Sequence, residues 1–189
     1  MKLDPKKTAV LTLDFQKGVL AMFEGGTPAP AIHAAARVVE HARGMGFPII
    51  HVGLGFAEGH PEIPEGSRFA MVKEKNLFVR GTPSAEFHPD LTRPSDLVVY
   101  KQRVSAFVQN NLDMILRARG VSHLVFFGFA TSGIVLSTIR QASDLDYHCT
   151  VVSDASFDRD PEVHRVLIEK VFPKQGLVVT SDAFLQEQP

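Results

Sequence analysis

The stretch HLVFFGFATSGIVLSTIRQASDLDYHCTVVSD, residues 123–154, decides the fold. Residues 123–128 are almost continuously apolar, the pattern of a strand buried on both faces. The turn Gly128-Phe129-Ala130-Thr131-Ser132-Gly133 follows, and residues 133–145 read as a helix. A second β-rich run, HCTVVSD at 148–154, closes the unit. Strand, helix and strand joined over about thirty residues form a crossover that lays its two strands parallel.

The same unit recurs on either side. Upstream, AVLTLD (9–14), PIIHVGL (48–54) and DLVVYK (96–101) read as strands. A helix over 30–46 keeps the three-four spacing at Ile32, Ala35, Ala36, Val39 and Ala42, and a second covers 110–119 and stops at Gly120. Downstream, Asp160-Pro161-Glu162 opens a helix with a capping acid and a first-turn proline, and LVVT (177–180) is a short sixth strand. The expected fold is α/β, a three-layer sandwich with a mostly parallel, Rossmann-like central sheet and helices on both faces. One domain spans 1–189, a length suited to a single core. Residues 55–93 break the alternation with Gly, Pro and charge, as lids, binding loops and interface segments do.

Composition narrows the partners. Twenty basic against 21 acidic residues leave a net charge of −1, which gives no electrostatic footprint for nucleic acid or an anionic membrane. No apolar run approaches the roughly 20 residues of a membrane span, and the N-terminus lacks the features of a signal peptide. One cysteine suits a reducing compartment, so the expected location is cytoplasmic.

In an open parallel sheet, ligands gather at the carboxyl ends of the strands. Asp14 ends the first strand, Lys101 the third, and the glycine-rich turn follows the fourth. Singly, each has a plain reading: a cap, a solvated strand end, a tight connection. Together they bring an acid, a base and backbone N–H groups to one edge. Cys149 begins the fifth strand, at the opposite edge, and reads as a small buried hydrophobe rather than a nucleophile. His51, His60 and His88 are scattered without metal-ligand spacing, and His33, His41 and His164 read as helix-surface residues. The glycines after the second strand miss the dinucleotide-binding spacing by one residue.

These residues resemble the isochorismatase-like hydrolase family, which includes cysteine amidases as well as isochorismatase. The likeness spans roughly 8–182 and rests on LTLDFQ, VVYKQRVSAF, GFATSGIVLSTIRQASDLDY and DRDPEVH, in that order. The family's cysteine enzymes use an Asp-Lys-Cys triad, and the resemblance assigns its first two members to Asp14 and Lys101. The cysteine's position, three residues after Thr131, holds Ile134. Isochorismatases also lack that cysteine and hydrolyse a vinyl ether with the Asp as acid and water as nucleophile.

The resemblance thus implies a hydrolase of a small organic substrate without a covalent cysteine intermediate. Phe15, Gln16, Phe107, Ala130, Thr131 and Ile134 are the expected substrate contacts. It implies a cis peptide between Ala130 and Thr131, and at least a dimer with part of 55–93 at the interface. Neither metal nor other cofactor is expected, because the family's metal-holding Asp-x-His has no counterpart after Asp14. The alternative is a binding or scaffold homologue that lost turnover with the cysteine. A flavodoxin-like receiver ranks lower, since no acidic pair follows the first strand. Asp14 is pulled two ways: a nearby lysine favours its carboxylate, whereas protonating a vinyl ether requires burial and a raised pKa.

Overall fold

A computed structural model describes residues 3–23 and 28–186 of the chain. Six strands, β1 (Thr8–Leu13), β2 (Ile49–Leu54), β3 (Leu97–Lys101), β4 (His123–Gly128), β5 (His148–Val152) and β6 (Leu177–Val179), form one sheet. Their order is β3-β2-β1-β4-β5-β6, and every pairing is parallel. The chain therefore winds outward from β1 in one direction, then returns and winds outward from β4 in the other. The crevice where the winding reverses lies between the carboxyl ends of β1 and β4.

Residue alternation in the strands divides the core in two. Val10, Ile49, Val125 and Phe127 face one side with α2 (Ala29–Gly44) and Phe184 of the C-terminal helix. Leu11, Leu13, Ile50, Val52 and Val99 face the other, where α4 (Leu112–Ala118) brings Leu112 and Leu116, and α5 (Leu136–Asp144) brings Ile139 and Ala142. Two short helices, α1 (Lys17–Ala21) and α3 (Ala70–Glu74), lie between the long elements of the first half. The last part holds α6 (Pro161–Val166) and α7 (Ser181–Leu185). The stripe that α2 buries is Ala31, Ala34, Ala35, Val38, Val39 and Ala42. It is rotated from the expected one, leaving Ile32 and Ala36 half-buried, because a face of small residues lets the helix lie close to the sheet.

Residues 55–93 form a packed cap over the carboxyl end of β2. Phe56, Ile63, Val72, Phe78 and Leu91 are buried in the first core, and Phe56 bridges to Val79. Gln16 fastens this cap. Its amide nitrogen donates to Leu54 O at 2.7 Å and Ala85 O at 2.9 Å, and its oxygen accepts from Leu54 N at 2.7 Å. Among the described residues no helix is long and apolar enough to cross a membrane.

Candidate active site

The site begins where β1 stops. Asp14 takes a left-handed backbone conformation, φ 58°, which Asp tolerates better than most residues. Its N–H still donates to Val52 O at 2.8 Å, so the residue hangs from the sheet while its direction turns out of the strand. On the neighbouring strand Gly128 permits the close approach of β4: a Cβ there would meet Leu13 O at 2.2 Å. The turn after Gly128 thereby begins beside Asp14.

Lys101 reaches Asp14 from the end of β3, placing Nζ 3.0 Å from Oδ2 and donating also to Arg103 O at 3.1 Å. Lys101 is 1% and Asp14 7% exposed, so this ion pair is almost dry. Burial raises the Asp14 carboxyl above its usual range, outweighing the opposing pull of Lys101, and burial lowers the Lys101 ammonium in turn. The two pulls on Asp14 are resolved in favour of the raised value. Asp14 Oδ1 is buried with no hydrogen-bond partner among the described residues. A buried acceptor left unmet costs about 1–3 kcal/mol, so the sheet edge holds one oxygen ready for a donor.

The turn differs from expectation in two respects. The cis peptide lies between Phe129 and Ala130, one bond earlier than the family resemblance implied. Composition marks the turn but does not say which of its bonds adopts the rare isomer. Its N–H groups are also mostly committed: Thr131 donates to Phe157 O, Ser132 to Asp158 Oδ2, and Gly133 and Val135 to Ala130 O. Phe129 pairs with Phe157 in an isolated parallel bridge, so the Ala130 amide also borders a backbone partner. Beyond Ala130 the chain enters a single π-turn, Thr131–Val135, before α5. Ile134 sits in that first turn and is 2% exposed, within the second core.

The other expected contacts are placed less directly. Phe15 is fully buried and makes edge-to-face contacts with Phe127 and Phe129, which puts it in the first core. Gln16 has its amide engaged as the staple already described. Phe107 stacks on Tyr147 with ring centroids 5.8 Å apart. Its loop is tied to the flank of α5 by Ser105 Oγ to Gln141 Oε1 and by Ala106 N to Thr138 Oγ1. Thr131 is buried within the turn. Cys149 is buried near the start of β5, as expected, and burial pushes its thiol up to about 12. Among the described residues no group of three or more His, Cys, Asp or Glu could hold a metal ion.

One contact was not anticipated. His164, expected on a helix surface, is half-buried, and its Nδ1 lies 2.8 Å from Thr131 Oγ1. The signal was present in DRDPEVH. Asp160 caps α6, accepting from Glu162 N and Val163 N, so a residue four positions on falls one turn later on the same face.

Comparison with known proteins identifies the family and the fold. The family model of the isochorismatase domain matches residues 8–183. The ureidoacrylate amidohydrolase RutB of Caulobacter vibrioides is 34% identical over 184 residues, covering 86% of this chain and 82% of its own. An isochorismatase family protein from Burkholderia thailandensis superposes with a TM-score of 0.81 at 26% identity, over 98% of both chains. The N-carbamoylsarcosine amidase of Thermoplasma acidophilum does so with a TM-score of 0.72 at 25% identity, over 93% of this chain and 97% of its own.

Proposed function

The chain belongs to the isochorismatase family, and on that premise we propose a hydrolase of small organic molecules that needs no cysteine nucleophile. Asp14 acts as acid or base, and Lys101 is its partner. The observation that carries this reading is the dry Asp14–Lys101 pair with one carboxylate oxygen unmet. A buried ion pair is a poor device for stability alone, because desolvation offsets much of the mutual attraction. A raised carboxyl can donate a proton to a bound substrate, and the adjacent ammonium then steadies the carboxylate left behind. Water attacks the substrate directly, in place of a thiol that would first form an acyl-enzyme for water to hydrolyse. The Ala130 amide is the turn's candidate donor to a developing negative oxygen.

Vinyl ethers and carbamoyl or ureido C–N bonds are the substrate classes to test, the latter suggested by the amidohydrolase and amidase relatives. The experiment is a panel of vinyl ethers, amides and carbamoyl compounds, ureidoacrylate among them, assayed with wild type and Asp14→Asn. The expected result is slow turnover of a panel member, lowered by about 10²–10⁴-fold in Asp14→Asn, the range typical of an acid–base residue. Retention of more than about a tenth of the rate would show that Asp14 does not hold this role. The burial of Ile134 among apolar side chains favours a second reading, a binding homologue without turnover. Saturable binding of panel members with no product would establish that reading instead.

A further inference from the structure

Residues 157–164 contact the turn after β4 at three points that no catalytic step uses. Phe157 O accepts from Thr131 N at 2.9 Å, and Asp158 Oδ2 accepts from Ser132 N at 2.7 Å. His164 Nδ1 lies 2.8 Å from Thr131 Oγ1. Thr131 is fully buried, so its hydroxyl has no solvent alternative to this partner. The first two bonds hold backbone; the third is the one made by a side chain from the next helix. Ala130 precedes Thr131 directly, and Ile134 follows one turn later. Whatever fixes Thr131 therefore fixes the Ala130 amide on one side and Ile134 on the other.

We infer that His164 is a positioning residue for the Asp14–Lys101 site, acting through Thr131 to hold the turn that carries Ala130 and Ile134. The inference rests on the proposed site but makes a separate claim about α6. His164 touches none of the reacting groups. It works by denying the turn a second arrangement, since a shift of about 1 Å in a positioning element can cost 100-fold in rate. The polar groups about the imidazole are the Thr131 hydroxyl and the Asp158 carboxylate across from it. Burial keeps the ring below its usual pKa, and Asp158 opposes that. A neutral ring can accept at Nδ1 from the threonine hydroxyl. A protonated ring must donate there and force the hydroxyl to turn.

The test needs no substrate. Amide exchange is measured by NMR in wild type, His164→Ala and His164→Asn, the last keeping a hydrogen-bonding atom near the Nδ1 position without titrating. His164→Ala should speed exchange at Thr131 and Ser132 at least tenfold while β1 amides stay unchanged, and His164→Asn should restore most of the protection. Unchanged exchange at the turn in folded His164→Ala would overturn the inference. The functional half uses iodoacetamide on Ile134→Cys protein, with Cys149 as internal control resolved by peptide mass. Adding His164→Ala should slow alkylation of the introduced thiol about tenfold at neutral pH, and adding His164→Asn should bring it back. Faster exchange with unaltered alkylation would make His164 merely structural and end the proposal. If the introduced thiol is already inert in Ile134→Cys alone, the proposed site alignment fails, and positioning fails with it whatever the exchange data show.

Discussion

At the scale of single residues, Ile134, which the family resemblance sets at the nucleophile position, gives the sharpest expectation. Ile134 stands in the first turn after Ala130, where a thiol would meet the positive end of the helix and, if the alignment with Asp14 and Lys101 holds, an ammonium and a carboxylate as well. That setting lowers a thiol below its ordinary value of about 8.5. Cys149 is the opposite case, desolvated without a charged neighbour and pushed up to about 12. Iodoacetamide should therefore alkylate Ile134→Cys faster at the introduced thiol than at Cys149, with the difference visible near neutral pH. The substitution should cost about 1–2 kcal/mol in chemical denaturation, since it removes part of a buried aliphatic volume. Equal resistance of the two thiols in folded protein would show that the Ile134 side chain turns away from the strand ends. Asp14 and Lys101 were legible because strand ends in a parallel sheet point to one edge. Phe15, Gln16 and Phe107 were harder to place, because adjacency in sequence to a strand end does not say which way a side chain turns. Phe15 packs under the sheet against Phe127 and Phe129, and Gln16 satisfies backbone groups of Leu54 and Ala85, 38 and 69 residues away, outcomes that local sequence does not announce.

Elements were legible where periodicity is strong. The six strands fall within a residue or two of the runs that announced them, since parallel strands covered on both faces must be nearly unbroken in apolar residues. The cap over 55–93 was not, because its short α3 and its bridges depend on long-range packing rather than on local pattern. Nor was the polar chain that crosses β1, β2 and the start of β3. There His51 Nδ1 lies 2.6 Å from Thr12 Oγ1, and Nε2 lies 3.1 Å from Asp96 Oδ2, which Arg43 also contacts. The order hydroxyl, imidazole, carboxylate matches a catalytic triad, but Thr12 and His51 have no exposed surface, so no substrate can reach them. The consequence is for stability. Burial lowers the His51 pKa below 6.5, despite Asp96. As pH falls below about 6.5, the unfolded chain takes up a proton that native His51 refuses, and stability declines until the native pKa is passed. This contribution lowers urea midpoints between pH 7 and 5, against an opposite one from the raised Asp14 carboxyl, which takes up its proton first in the native state. His51→Gln should flatten that slope by up to about 1.4 kcal/mol per pH unit. His123 and His164, also lowered by burial, add slope of the same sign and should leave a residue of it in the variant. An unaltered slope in His51→Gln would mean that His51 takes its proton as readily folded as unfolded.

At the scale of the whole molecule, the sheet has two edges of unequal quality. β6 is three residues long, too short to template much pairing. β3 is five residues long, and Val98, its second residue, is 46% exposed. β3 lies at the edge of the sheet, so it offers both an exposed apolar side chain and the backbone groups of its outer side. Proteins seldom leave such an edge open, because it invites pairing with another chain. The cap is continuous with it: the Arg80 guanidinium lies 5.7 Å from the Tyr100 ring centroid, so part of 55–93 borders the exposed strand. A near-neutral chain adds little electrostatic repulsion to oppose association. The expected state in solution is therefore at least a dimer, with β3 and the adjoining part of the cap at the contact. Light scattering at micromolar concentration should give a multiple of the 20.8 kDa chain mass. Val98→Lys should shift that equilibrium toward monomer by at least tenfold in Kd, because a lysine facing its own symmetry mate brings like charges together at the edge. Its exposed position means the fold should survive, which circular dichroism checks. A monomeric wild type would refute the association, and a Val98→Lys protein that stays fully assembled would move the contact away from β3.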